Sequence, residues 1–241
     1  METIEYREVK LKVVKINKLL VIADFSFLNQ FNLSSLSKSI DLIILNNPSV
    51  EIELTLKSDM QDFKETIKML EEKNFHESYS KKVYLKKLEP GSQTNQLHFK
   101  TIKKVGKEMF FSIFSKCIMS TEDLDLQEDK NDLKQSFQNL RNININEWNF
   151  LAYNGKEVIG VLILNEYKNY FSINYLGILP EFRNKGYAKY LMQKSEEEFY
   201  KKNKDKKWLG STAENNQAMQ RIFKKYGFSS IRTLHKFIKK A

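Results

Sequence analysis

The chain has 241 residues, of which 41% are hydrophobic and 29% charged, so it can bury a sizeable core as one large domain or two small ones. Its 40 basic and 30 acidic side chains give a formal net charge of +10. The excess lysines are scattered in pairs over every segment rather than gathered in one stripe, which argues against nucleic-acid binding. No apolar run of about 18 residues and no basic-then-apolar leader occur, so the sequence predicts no membrane contact and a cytoplasmic location. One cysteine and three histidines without ligand spacing exclude an internal disulfide and indicate no metal site.

The first 88 residues have the pattern of a small α+β domain. Apolar residues alternate as in strands, and two helical stripes lie between them. Asn74 is expected to end the second helix in the left-handed conformation. The polar, turn-rich residues 89–96 are predicted to be a linker. The predicted strands cover residues 4–23 with a turn at 15–18, residues 50–56 and residues 83–88, and the helices run through 33–40 and 63–70.

The remaining residues, 97–241, predict a second and larger domain. Asn154-Gly155 favours a type I′ hairpin turn within three antiparallel strands, because both residues tolerate positive φ. Gly227 is expected to end the last helix, and Glu196 lies on the predicted water-facing side of an amphipathic helix. The predicted elements are a strand at 97–102, a helix at 105–118, an acidic segment at 122–132, a second helix through Leu133, Phe137 and Leu140, three strands within 148–179, a helix from 188, a strand at 208–212, a helix at 216–226 and a strand at 231–238.

A short basic loop follows the third of those strands and leads into a helix. Gly186 and Ala188 remove side-chain bulk there, so backbone N–H groups can close on an anion at the positive end of the helix. Arg183 and Lys185 add positive charge to the same loop. The sequence therefore predicts a phosphate-binding loop over residues 183–188.

The spacing Arg183-x-x-Gly186-x-Ala188 resembles the pyrophosphate-binding signature of the GNAT superfamily of acyl-CoA-dependent N-acyltransferases. A second segment is similar to that family's last helix, with Asn216, Met219, Ile222-Phe223, Lys225 and Gly227-Phe228 at matching positions. The resemblance covers about residues 97–238. It implies an α+β fold layered as α/β/α, in which helices flank a mixed, mostly antiparallel sheet.

The resemblance further implies that acetyl-CoA is the cofactor and that a primary amine, either a small molecule or a peptide N-terminus, attacks the acyl group directly in a ternary complex. A homodimer is left open. Asn216 is either a helix N-cap, a cofactor contact or both. The residues that the resemblance places at the coenzyme are Leu176, Gly177, Ile178, Leu179, Arg183, Asn184, Lys185, Gly186, Tyr187, Ala188, Asn216 and Phe223.

The proton-transfer positions depart from the family pattern. Ser172 stands where a carboxylate base is common, and Phe223 stands where a tyrosine acid is common, so neither can do that chemistry. Glu166 and Tyr226 are the candidate catalytic replacements, although a solvated turn and core packing explain them as well. The alternatives to a side-chain base are deprotonation through water and an acceptor that arrives as the free amine. The alternative function is a catalytically weak acyl-CoA-binding or regulatory module. The acidic segment is a candidate for attracting the amine.

A weak internal repeat links the two halves. A helix, a cap, a phenylalanine and a strand recur in residues 63–88 and 219–238. This suggests that residues 1–88 are a degenerate GNAT-like half-domain, with an unrelated α+β extension as the alternative. No glycine precedes Gly91, so this half has no loop that resembles the phosphate-binding one.

Overall fold

A computed structural model describes residues 2–6, 11–16, 18–22, 32–90, 96–121, 123–126, 133 and 147–241. The strands are β1 (Glu2–Tyr6), β2 (Leu11–Ile16), β3 (Leu19–Ile22), β4 (Glu51–Lys57), β5 (His76–Lys87), β6 (His98–Thr101), β7 (Asn149–Asn154), β8 (Glu157–Glu166), β9 (Tyr170–Ile178), β10 (Lys207–Ala213) and β11 (Ser229–Lys239). The helices are α1 (Leu33–Asn46), α2 (Phe63–Glu72), α3 (Ile102–Val105), α4 (Lys107–Met119), α5 (Ala188–Asn203) and α6 (Gln217–Lys225), with 3-10 turns at Leu124–Leu126 and Pro180–Phe182.

The chain divides into two units that do not coincide with its two halves. Unit 1 comprises Met1–Lys82 together with Arg232–Ala241, and unit 2 comprises Val83–Ile231. Most of the last strand therefore belongs with the N-terminal residues. The sequence placed it in the C-terminal domain, and the boundaries proposed there, 1–88 and 97–241, stay a prediction. The predicted helix through Phe137 and Leu140 lies outside the described residues.

Unit 1 holds a sheet in the order β1-β2-β3-β4-β11. The parallel pair β3 and β4 is joined by α1, and the other pairs are antiparallel. Alternate residues of β4 are buried against α1, as the period of two predicts. Asn74 has φ +63°, so the expected left-handed end of α2 is confirmed. Whether this unit is a degenerate GNAT half-domain stays a prediction.

Unit 2 carries the antiparallel strands β6 to β9, and β10 lies parallel to β9. Helix α4 packs on one face of this sheet, and α5 and α6 pack on the other. The mixed, mostly antiparallel sheet between helical layers is the α+β architecture expected from the sequence. The Gly155 hairpin differs in detail: the two-residue loop is Gly155-Lys156, and only Gly155 has positive φ, as in a type II′ turn rather than type I′.

Strand β9 has two irregularities that matter for the site. Ile163 faces Tyr175 on β9, whereas Leu164 faces Ile173, so Asn174 is an extra residue that forms a β-bulge. Strands β9 and β10 pair only from Tyr170 with Lys207 to Ser172 with Leu209. Both strands continue beyond that point without pairing to each other, so the backbone edges between them are open over their C-terminal parts.

Candidate functional site

The loop between β9 and α5 has the backbone of an anion cradle. Asn184 has φ +61° and Gly186 has φ +80°, whereas Lys185 between them has negative φ and Tyr187 has φ −63°, and this alternation of sign turns successive N–H groups to one side. The backbone N–H groups of residues 184–189 donate to no acceptor among the described residues. A Cβ at Gly186 would meet nothing within 4 Å, so the space in front of the loop is open. The loop can therefore offer several donors at a helix N-terminus.

Arg183 is held by protein rather than directed at the open side of the loop. Its Nη1 and Nη2 atoms donate to Ser120, at 2.9 Å to the carbonyl oxygen and 2.7 Å to Oγ, and Nε donates to the Ile178 carbonyl oxygen at 3.0 Å. The guanidinium thus donates hydrogen bonds to acceptor oxygens at the C-terminal end of α4 and holds that end against the loop. In this structure Arg183 is therefore a clamp between α4 and the loop, and its predicted phosphate contact stays a prediction. Lys185 lies in the loop itself, with Nζ 5.3 Å from the centroid of the Phe182 ring.

Tyr187 and Ala188 complete the turn into the helix. Asn154 Nδ2 donates to the Tyr187 hydroxyl at 3.2 Å, which anchors the loop to the β7–β8 hairpin. Ala188 is the first residue of α5, where its small side chain leaves the helix N-terminus accessible.

The four predicted coenzyme residues on β9 and just after it are divided between the two faces of the sheet. Leu176 and Ile178 are half-buried on the α5 and α6 side, whereas Leu179 is buried on the α4 side. A Cβ at Gly177 would lie 2.8 Å from Cys117 Cβ and 2.7 Å from the Tyr175 ring, so only glycine lets α4 approach this closely. The backbone of residues 176–179, rather than their side chains, faces the opening between β9 and β10.

Asn216 is the N-cap of α6, as one of the two sequence interpretations held. Its Oδ1 accepts from Met219 N at 3.0 Å, and its Nδ2 donates to Asp123 Oδ2 at 2.7 Å. Thr212 donates to the same oxygen at 2.8 Å, and Asp123 is 5% exposed. Sequence reasoning missed Asp123 as an individual residue, and the only signal was its place in the acidic segment. The contact joins the α4 connection to the C-terminal end of β10.

Phe223 is part of the core between α6 and the sheet. It is 1% exposed and stacks on Tyr84 with ring centroids 4.8 Å apart. Its ring fills the space where a Gly210 side chain would stand, since a Cβ there would be 2.4 Å from it. The face of β10 under α6 is therefore apolar at this point.

Glu166 and Tyr226 lie away from the loop, at the other end of β9 and β10. Glu166 is opposite Phe171 at the start of β9, and Lys206 Nζ lies 2.6 Å from its Oε1. The Tyr226 ring packs edge-on against Trp208 at the start of β10. Because the loop follows the end of β9, the structure does not bring either predicted catalytic residue to it.

Tyr226 is also committed to a buried ion pair. Its hydroxyl donates to Glu196 Oε2 at 2.9 Å, and Lys86 Nζ lies 2.5 Å from Glu196 Oε1. Burial and then the Glu196 carboxylate raise the pKa of Tyr226 above its usual value, which makes it a poorer acid. Glu196 is 5% exposed, so its predicted position on the water-facing side of α5 is wrong. A cavity of about 630 Å³ opens beside this cluster.

No group of three His, Cys, Asp or Glu side chains within the described part of the chain could hold a metal ion. No helix within that part is long and apolar enough to cross a membrane.

Comparison with protein families identifies the segment that carries this loop. Residues 112–228 match the model of the acetyltransferase (GNAT) family, a range that includes the loop, α5, β10 and α6. This segment belongs to the GNAT family. Acyl transfer is the general activity of that family, and the fold expected from the two sequence signatures is confirmed.

Solved structures of GNAT proteins share the fold at low identity. A GCN5-related N-acetyltransferase from Sphaerobacter thermophilus is 13% identical with a TM-score of 0.59, covering 95% of this chain and 75% of that one. A GNAT-family acetyltransferase from Colwellia psychrerythraea is 14% identical with a TM-score of 0.61, covering 99% and 84%. A tandem GNAT protein from the clavulanic acid biosynthesis pathway is 10% identical with a TM-score of 0.58, covering 95% and 77%. Comparison with curated proteins found no relative.

Proposed function

We propose that the GNAT domain binds acetyl-CoA and transfers its acetyl group to the nitrogen of a primary amine, supplied by a small molecule or a peptide N-terminus. The observation that carries this proposal is the run of N–H groups at residues 184–189 that bond to none of the described residues, with left-handed Asn184 and Gly186. A diphosphate is an anion that such a run of donors at a helix N-terminus fits. Lys185 adds a positive charge at the same place.

The coenzyme's extended arm fits the opening between β9 and β10. Backbone groups of β9 beyond Ser172 are not used by β10, so they can pair with an extended ligand as they would with a strand. The N–H groups near the Asn174 bulge are candidates for polarising the thioester carbonyl. Asn216, at the end of β10, is placed to contact the arm while it caps α6.

When bound, the coenzyme supplies an activated acyl group. The amine nitrogen forms a bond to the carbonyl carbon, the carbon–sulfur bond breaks, and the proton lost by nitrogen ends on the released thiol. Glu166 is paired with Lys206 and the Tyr226 hydroxyl donates to Glu196, so neither side chain is assigned to carry this proton. A free amine as acceptor, or water as the base, is consistent with this arrangement.

The cofactor site is tested by calorimetry with acetyl-CoA on two glycine variants. Gly186→Trp should abolish binding by filling the loop. Gly106→Trp is the matched control, because Gly106 also has positive φ and open space but lies before α4. Binding that is equal in both variants would show that the loop is not the site.

A catalytically weak acyl-CoA-binding module is the second candidate, and Phe223 and Ser172 at the usual acid and base positions favour it. Thiol release from acetyl-CoA over a panel of amines separates the two functions. Acetyl-CoA binding without amine-dependent thiol release would establish the binding module.

A further inference from the structure

Asn216 carries a side-chain donor that no described residue accepts. Its Oδ1 accepts from Met219 N at 3.0 Å, which caps α6, and its Nδ2 donates to Asp123 Oδ2 at 2.7 Å. A side-chain amide has two N–H donors. The second N–H of Asn216 has no acceptor among the described residues, and the side chain is only half-buried, so this donor is available to a ligand.

Asp123 brings the segment that follows α4 to this amide. Ser120, at the C-terminal cap of α4, is clamped by Arg183, which follows β9. Three residues after Ser120, Asp123 lies at the end of β10, where Thr212 also donates to its Oδ2 at 2.8 Å. Three residues span at most about 11 Å. The same short segment therefore contacts the ends of both strands, which places Asn216 on the side of β10 that faces β9 and the opening.

Two hydrogen bonds fix the plane of the Asn216 amide, whereas one does not. The capping bond holds Oδ1 alone and leaves the group able to rotate about that bond. The bond to Asp123 also holds Nδ2, and because the amide is planar, the direction of its second N–H is then set. Asp123 is 5% exposed, and a carboxylate accepts shorter and stronger hydrogen bonds than a neutral oxygen does.

We propose that Asp123 is a positioning residue of the coenzyme site, which holds the Asn216 amide so that its second N–H donates to a carbonyl oxygen of the coenzyme's extended arm. The inference rests on the proposed function, in which that arm enters the opening between β9 and β10. The arm contains amide groups, and β9 offers its backbone to one edge of it. Asn216 supplies a donor from the β10 side. A donor that is already oriented binds more tightly, because less side-chain freedom is lost on binding.

Capping α6 does not by itself require an amide at position 216. Serine and aspartate cap helices as well as asparagine does, because an N-cap needs only an acceptor oxygen. Among these three side chains only asparagine also carries N–H donors, which can serve Asp123 and a ligand together. Asn216→Ser therefore separates the two roles, since it keeps a capping oxygen and removes both N–H groups.

Calorimetry with acetyl-CoA on Asp123→Ala, Asn216→Ser and the double variant tests the inference. Each single variant should raise the Kd about 2–10-fold, the loss expected for one hydrogen bond. The double variant should bind no more weakly than Asn216→Ser, because Asp123 acts through an amide that is already gone. A merely structural role of Asp123 would instead weaken binding further in the double variant.

Two further variants serve as controls for the Asp123 substitution. Asp123→Asn keeps a carbonyl oxygen for the Asn216 amide and should restore a Kd close to that of the wild type. Thr212→Val removes another donor to the same carboxylate oxygen but leaves Asn216 in place, so it should lower the urea midpoint and leave the Kd unchanged.

A measurement on the wild-type protein needs no substitution at Asp123. The two Nδ2 protons of Asn216 are assigned by the loss of their NMR signals in Asn216→Ser. Addition of acetyl-CoA should move the signal of the proton that is not bonded to Asp123 to lower field. Absence of acetyl-CoA binding to the wild type would end the proposed function and this inference together. Binding without a shift of either Asn216 signal, or an equal effect of Asp123→Ala with and without Asn216→Ser, would overturn this inference alone.

Discussion

At the scale of single residues, two side chains whose roles were predicted from sequence patterns bond in the structure to residues far away in the sequence. Arg183 was expected at the phosphate because it belongs to the loop motif, yet it clamps Ser120, 63 residues earlier. Glu196 was expected in water because of its helical position, yet Lys86 and Tyr226 surround it. Sequence periodicity reports which face of a helix a residue occupies. It cannot report which other segment will meet that face.

Replacing Arg183 by lysine should destabilise unit 2 by about 1–3 kcal/mol, because one ammonium cannot reach the carbonyl and hydroxyl oxygens that the planar guanidinium bonds at once. Urea unfolding measures the loss. Lys185→Ala is the control and should leave the midpoint unchanged, since Lys185 has a ring contact but no ion pair among the described residues. Equal midpoints for wild type and Arg183→Lys would contradict the clamp.

Cys117 should resist alkylation in the folded protein. Burial raises the pKa of its thiol to about 12, whereas an unfolded thiol has a pKa of about 8.5. Folding therefore favours the protonated thiol, and this contribution to stability is complete below about pH 8.5 and declines as the pH rises toward 12. Iodoacetamide at pH 8.5 should modify Cys117 in urea and not in buffer, as mass spectrometry would show. Equal modification in both would refute the buried thiol.

At the scale of elements, the order and type of strands and helices followed from periodicity and caps, and α6 illustrates both. Asn216 and Gly227 were identified as its ends, and the structure places an N-cap and a positive φ there. The separation of β9 from β10 could not be predicted, because both segments continue as strands past the point where their pairing stops. The Asn174 bulge likewise has no local signature, since it depends on the register with β8.

Removing the Asn216 side chain should cost more than loss of a helix cap alone. Asn216→Ala removes the cap of α6, typically about 0.5–2 kcal/mol, and also the amide that donates to the buried Asp123 carboxylate at 2.7 Å. Asn32→Ala is the matched control, because Asn32 caps α1 through Ser34 and Ser35. Denaturant unfolding should show the larger loss for Asn216→Ala. A larger loss for Asn32→Ala would argue against a stabilising role for the Asp123 contact.

At the scale of the whole molecule, linear domain boundaries do not describe unit 1. β11 pairs with β4 from Leu234 opposite Lys57 to Lys239 opposite Ile52. Phe237 belongs to the same core as the helices of unit 1, and Lys236 Nζ lies 2.8 Å from Glu53. Sequence alone could not assign this strand, because alternating residues fit any sheet edge and only long-range pairing decides between them.

A fragment of residues 1–82 should therefore fail to fold cooperatively. It lacks β11, so one edge of β4 and part of the core would be exposed. Circular dichroism during heating should show no sigmoidal transition for the fragment, while the full chain shows one. Fusing residues 232–241 to the fragment through a flexible linker should restore a transition. A cooperative transition in the unfused fragment would contradict the grouping of β11 with unit 1.

The place of β11 in unit 1 also determines the order in which the two units are completed during translation. Residues 1–82 leave it first, but the strand that completes their sheet follows only after residues 83–231 have been made. At about 5–20 residues per second that interval is on the order of ten seconds. During it β4 presents an unpaired edge, which is a template for pairing with other chains. The continuous unit 2 is complete when that interval ends, whereas unit 1 still lacks residues 232–241, so the later segment of the chain is completed before the earlier one.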